Sequence, residues 1–195
     1  MRRRLLCTAA AAGLALAAGV AACRGPAPPP AASAGPAIGG PFQLIDQDGR
    51  PVSDRDLVGK PTVVFFGFTF CPEICPTTLA RIAEWMKALG PDADRINVVF
   101  ITIDPDRDKP AELKRYLASF DPRFRGFTGS DQAIAKAVRE YDVYAQKVPL
   151  AGGGYTMDHS TGIYLMDRKG RFAEALSVEQ STPEAVAALR RVLRG

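Results

Sequence analysis

Residues 62–76 read TVVFFGFTFCPEICP, a buried strand running into a cysteine pair and a helix start. Thr62 to Phe68 is an unbroken β-branched and aromatic run, the pattern of a strand buried on both faces. Beyond the cysteines, Leu79, Ile82, Ala83, Met86 and Leu89 recur at helical spacing until Gly90-Pro91 stops the helix. Ile96 to Ile103 (INVVFITI) is a second buried run. Strand, helix and strand at this spacing predict a βαβ unit with parallel strands.

Before this unit, Phe42 to Ile45 with Asp48-Gly49 reads as a short strand and turn. Helices are expected over Pro110 to Phe120 and Asp131 to Glu140, and Val148 to Tyr155 reads as a Gly-rich, mobile segment. Gly162 to Asp167 and Phe172 to Ser177 flank Arg168-Lys169-Gly170 as a hairpin. A last helix from Thr182 to Leu193 opens on the cap Thr182-Pro183-Glu184 and turns Val186, Leu189 and Val192 inward. The order β-α-β-α, then β-β-α, predicts an α/β, thioredoxin-like fold. Its central mixed sheet is flanked by helices, with an insertion between the βαβ and ββα halves.

Ahead of this domain, Arg2 to Arg4, the apolar run Leu5 to Ala22 and the small residues Val20-Ala21-Ala22 before Cys23 make a secretory signal over 1–22. Val-Ala-Ala-Cys resembles a bacterial lipobox, in which Cys23 takes a lipid. The alternative is an uncleaved transmembrane anchor, since an apolar run of about 18 residues is near the lower limit of a span. Small residues before Cys23 and the Pro-rich stretch after it favour the lipoprotein. Residues 23–41 read as a Pro/Ala/Gly-rich tether and 42–195 as the domain. Both readings place that domain outside the cytoplasm, on a bacterial cell membrane and facing the periplasm or cell exterior.

The formal charge of +4 owes most to the three leader arginines; the remainder holds 22 basic against 21 acidic side chains. That balance argues against a nucleic-acid footprint, which needs a concentrated basic face.

Past Cys7 and Cys23, the chain offers only Cys71, Cys75 and one histidine, His159. Two thiolates and an imidazole suit Cu(I), and a thiol pair can also cycle between dithiol and disulfide. Zinc fits less well, because a closed structural zinc site wants four ligands. Cu(II) would want further oxygen or nitrogen donors. Pro76 belongs to a first helical turn and pushes Cys75 toward the cap, leaving Cys71 to Ile74 as a loop at the carboxyl end of the first buried strand. The positive helix end there favours thiolate over thiol. As a purely structural disulfide the pair would close a very small loop and be a weak staple.

His159 sits in Met157-Asp158-His159-Ser160-Thr161, just before a strand, in the loop that faces the Cys71 tip in the expected fold. Thioredoxin-like reductases place a cis-proline there, whereas no proline lies between 150 and 182. Asp104-Pro105-Asp106-Arg107-Asp108 follows the second buried strand to the same rim. Asp106 and Asp108 read as turn and cap residues, and Asp104 is the candidate for supporting the site or for a weak oxygen contact. Met157, Met166 and Trp85 read as packing.

Three blocks in order, GFTFCPEICP at 67–76, TIDPDRD at 102–108 and DHS at 158–160, resemble the SCO/SenC proteins, thioredoxin-fold copper chaperones for cytochrome c oxidase assembly. The resemblance covers Phe42 to Arg194. It implies that Cys71, Cys75 and His159 bind copper as Cu(I), Cu(II) or both, and that the dinuclear copper centre of oxidase subunit II is the acceptor. A copper donor protein and a thioredoxin-like reductant would be further partners, with Cys71 and Cys75 doing the exchange chemistry if the domain also acts on that subunit's cysteines. Two alternatives stay open. One is a thiol oxidoreductase or peroxidase, although Thr69 is one residue too close to Cys71 for a peroxiredoxin spacing. The other is a copper or redox sensor, with Gly152-Gly153-Gly154 as its moving part.

Overall fold

The computed structural model describes residues 38–195. The signal at 1–22, Cys23 and the tether through residue 37 lie outside the described residues. The domain's contacts begin ahead of Phe42: Ile38 packs on the core and the Gly39 N–H donates to the Glu140 carbonyl at 2.7 Å. No helix among the described residues is long and apolar enough to cross a membrane.

The elements run β1 (Gln43–Asp46), β2 (Pro51–Ser53), β3 (Thr62–Gly67), α1 (Ile74–Leu89), β4 (Asn97–Thr102), α2 (Pro110–Ala118), β5 (Arg125–Thr128), α3 (Asp131–Glu140), β6 (Ala145–Pro149), β7 (Tyr155–His159), β8 (Ile163–Met166), β9 (Phe172–Leu176) and α4 (Thr182–Arg194). Seven strands form one mixed sheet in the order β2-β1-β5-β4-β3-β8-β9. The β3–β4 and β4–β5 pairs are parallel and β3–β8 is antiparallel. Every residue of β3 is buried, as an apolar run without alternation requires. Completely enclosing a side chain such as Phe66 contributes on the order of 1.5–3 kcal/mol, so this central strand anchors the fold. Helices flank the sheet, with α1 against α4 and α2 against β5. Gly90, at φ +69°, closes α1 where the sequence stops it.

Three details differ from the sequence reading. Arg125–Thr128 joins the sheet as a strand, parallel to β4 and antiparallel to β1. A β-carbon on its Gly126 would stand 2.8 Å from the Leu117 side chain, so glycine is what lets α2 close on the strand. The cap of α4 is Ser181, not Thr182: the Glu184 carboxylate accepts from the Ser181 N–H at 3.1 Å and its hydroxyl at 2.7 Å. Val148 to Tyr155 forms the closed end of an unforeseen β6–β7 ribbon, with Leu150 N–H donating to the Gly154 carbonyl at 3.1 Å. Gly153 and Gly154, at φ +90° and +76°, supply the turn.

Candidate metal centre

Parallel pairing of β3 and β4 sets Gly67 opposite Thr102, so the cysteine loop and the Asp104–Asp108 loop leave one sheet edge side by side. Cys71 N–H donates to the Phe68 carbonyl at 3.3 Å, which turns the chain back before α1 begins at Ile74. Cys75 therefore occupies the first helical turn, one step deeper than expected, and is fully enclosed, while Cys71 is half-buried. Both thiols are free. The Cys75 N–H, one of the amides a helix start leaves without an intrahelical partner, donates to Cys71 Sγ at 3.4 Å.

At Cys75 burial pushes the thiol up, outweighing a hydrogen bond with the Phe68 backbone that favours the thiolate, because removing a sulfur from water penalises its charged form.

His159 closes β7, and only Ser160 to Gly162 separates it from β8. Its Nδ1 lies 2.7 Å from the Ser160 carbonyl, which can only accept, so Nδ1 carries the proton and Nε2 keeps its lone pair. That Nε2 stands 3.6 Å from Cys75 Sγ. Burial lowers the His159 pKa and keeps the ring neutral, the ligating form. The Phe68 ring meets it edge-on at 5.8 Å and holds its plane.

Bonds of about 2.3 Å to thiolate sulfur and about 2.0–2.1 Å to imidazole, the zinc values, put the sulfur and nitrogen about 3.5–3.8 Å apart across a trigonal or tetrahedral ion. The Cys75–His159 separation already falls in that window, with Cys71 adjacent. Among the described residues no three His, Cys, Asp or Glu side chains are arranged to hold a metal ion.

Asp104 is fully buried, but both its oxygens are engaged: Oδ1 accepts from the Tyr155 hydroxyl at 2.8 Å and Oδ2 pairs with Arg107. Asp108, read from the sequence as a turn residue, instead accepts from Thr69 and Thr102. Thr69 thus gives its hydroxyl to Asp108. Met157, Met166 and Trp85 pack in the core. Sequence reasoning missed Tyr155 and Arg107, whose only signal was an aromatic at the ribbon's turn and an arginine inside an acidic run.

The SCO1/SenC family model matches residues 30–194. Protein SCO1, mitochondrial, of Saccharomyces cerevisiae is 40% identical over 144 residues; the match takes 72% of this chain and 49% of the yeast protein, so the chain spans about half that relative's length. The structure of Bradyrhizobium japonicum ScoI with copper bound superimposes with a TM-score of 0.76 at 53% identity, covering 80% of this chain and 99% of that one. A SCO1/SenC family lipoprotein from Bacillus anthracis gives a TM-score of 0.70 at 27% identity, covering 81% and 96%. With a thioredoxin-like fold and a family match over most of its length, this chain belongs to the SCO1/SenC family.

Proposed function

We propose that this chain is a membrane-anchored copper chaperone of cytochrome c oxidase assembly. It takes one copper ion as cargo on Cys71, Cys75 and His159 and delivers it to the dinuclear copper centre of oxidase subunit II. The observation that carries this reading is the neutral His159 Nε2 facing Cys75 Sγ at 3.6 Å, beside a second free thiol. It gains weight from 53% identity to a protein whose structure holds copper. Two sulfurs and one imidazole match three-coordinate Cu(I); Cu(II) would recruit further nitrogen or oxygen donors. A copper donor protein loads the site and a thioredoxin-like reductant keeps the pair open in an oxidising compartment. Lipid on Cys23 holds the domain to the outer face of a bacterial membrane, a reading supported by the likeness to a protein described as a lipoprotein.

The test is transfer. Cu(I)-loaded domain mixed anaerobically with the reduced, metal-free soluble domain of oxidase subunit II gives up its copper, two chains filling one dinuclear centre, and the metal is found on the acceptor once the two proteins are separated. Full retention of the metal by this chain contradicts delivery.

Thiol–disulfide exchange with that subunit's cysteines is favoured by one observation: Cys71, the more open sulfur, accepts the amide at the head of α1. In such a step the Cys71–Cys75 dithiol becomes a disulfide as the acceptor's disulfide becomes a dithiol. A peroxidase reading loses support, because the Thr69 hydroxyl is committed to Asp108.

A further inference from the structure

We infer that the Asp104–Asp108 loop is a strut that sets how far His159 stands from Cys75, with Asp104, Arg107 and Tyr155 acting as positioning residues. The inference deepens the copper reading and rests on it for its metal-loaded readout.

One end of the strut grips the cysteine loop. Asp108, fully buried, accepts from the Thr69 N–H at 3.0 Å, the Thr69 hydroxyl at 2.6 Å and the Thr102 hydroxyl at 2.6 Å. The Thr102 hydroxyl oxygen in turn accepts from the Asp104 N–H at 2.9 Å, and the Asp108 N–H donates to the Asp104 carbonyl at 2.9 Å. Thr69, just ahead of Cys71, is thus bonded through both backbone and side chain to a loop that is itself cross-braced.

The other end grips the ribbon that carries His159. Among the described residues β6 and β7 pair only with each other and have no ladder to the main sheet. A two-stranded ribbon is marginal by itself and needs an outside hold. Tyr155 supplies it: its hydroxyl donates to Asp104 at 2.8 Å and its carbonyl accepts from Arg107 at 3.0 Å. The Arg107 guanidinium lies 3.9 Å from the centre of the Tyr155 ring, with Phe70 at 4.6 Å and Phe68 at 5.9 Å. Rings from the ribbon and from the cysteine loop therefore meet on one cation. A Lys147–Asp106 ion pair ties β6 to the same loop.

Strand periodicity turns this hold into geometry. Tyr155, Met157 and His159 alternate along β7 onto one face, about 13 Å from first to last. A strand fastened at Tyr155 and packed at the buried Met157 has little freedom left at His159. Among the described residues Arg107 Nη2 is buried with no hydrogen-bond partner, which fits a group held for where it stands.

His159 is the only histidine, so a protein without a histidine tag gives one imidazole signal pair by nitrogen-15 NMR. In the reduced, metal-free protein, Tyr155→Phe and, more strongly, Arg107→Met should broaden or shift those ring signals. Copper affinity should fall with one-to-one stoichiometry kept, by about 10–100-fold for Arg107→Met, the range for groups that orient a ligand from behind. Val192→Ala, on the far helix α4, is the control for lost stability: its ring signals stay at wild-type positions. Ring signals and affinity unchanged in both site variants, or moved equally by Val192→Ala, would overturn the strut. Should the wild type take no copper, the chaperone reading fails alone, and the metal-free ring signals still decide the strut.

Discussion

A β-carbon on Gly67 would stand 2.8 Å from Cys75 Sγ and 2.8 Å from the Phe100 ring, so the bare backbone at the end of β3 is the space in which that sulfur sits. Both neighbours are fully enclosed and neither can retreat into solvent. Gly67→Ala is expected to cost about 1–3 kcal/mol of stability, as overpacking does, and to weaken copper binding by displacing the sulfur. Denaturant unfolding and copper titration check the two effects together; a variant matching the wild type in both would refute the packing argument.

The two thiols differ in access. Cys71 is half-buried, whereas Cys75 is fully enclosed with its thiol pushed up by burial. Iodoacetamide at neutral pH should therefore modify Cys71 first in the reduced, metal-free protein, with Cys75 following only as the domain opens. Peptide mass spectrometry over a time course reads the order directly. Equal rates would mean that the site is open in solution.

Asp108 gives a pH signature. Burial raises its pKa above the ordinary carboxylate value, so the folded state holds the Asp108 proton more tightly than the unfolded chain does. The resulting stability is complete below the ordinary carboxylate pKa and is lost as pH rises through the folded value. Asp108→Asn has no proton to lose there. Urea unfolding of both proteins from pH 4 to 8 should show the wild type losing stability relative to Asp108→Asn as pH rises, and a flat difference would contradict the assignment.

How much of this was legible follows from where each residue finds its partners. The βαβ unit could be read because β3 and β4 are buried on both faces and their composition announces it. Cys71 and Cys75 could be placed because a strand end and a helix start fix them locally. The β6–β7 ribbon could not, since AQKVP is mostly exposed and pairs only with β7, leaving no apolar alternation to read. β5 hid behind a short RGFT whose glycine serves α2 rather than the strand. Asp104 was recognised as belonging to the rim, yet its partner Tyr155 lies 51 residues away, and no local pattern encodes that bond.

Copper delivery as proposed requires Cys71, Cys75 and His159 to grip one ion together. Anaerobic Cu(I) titration of the reduced domain, against a competing chelator and alongside Cys71→Ser, Cys75→Ser and His159→Ala, tests it most directly. One copper per wild-type chain is expected, with a large loss of affinity in each variant and the His159→Ala domain still folded. Wild-type affinity in His159→Ala would contradict it.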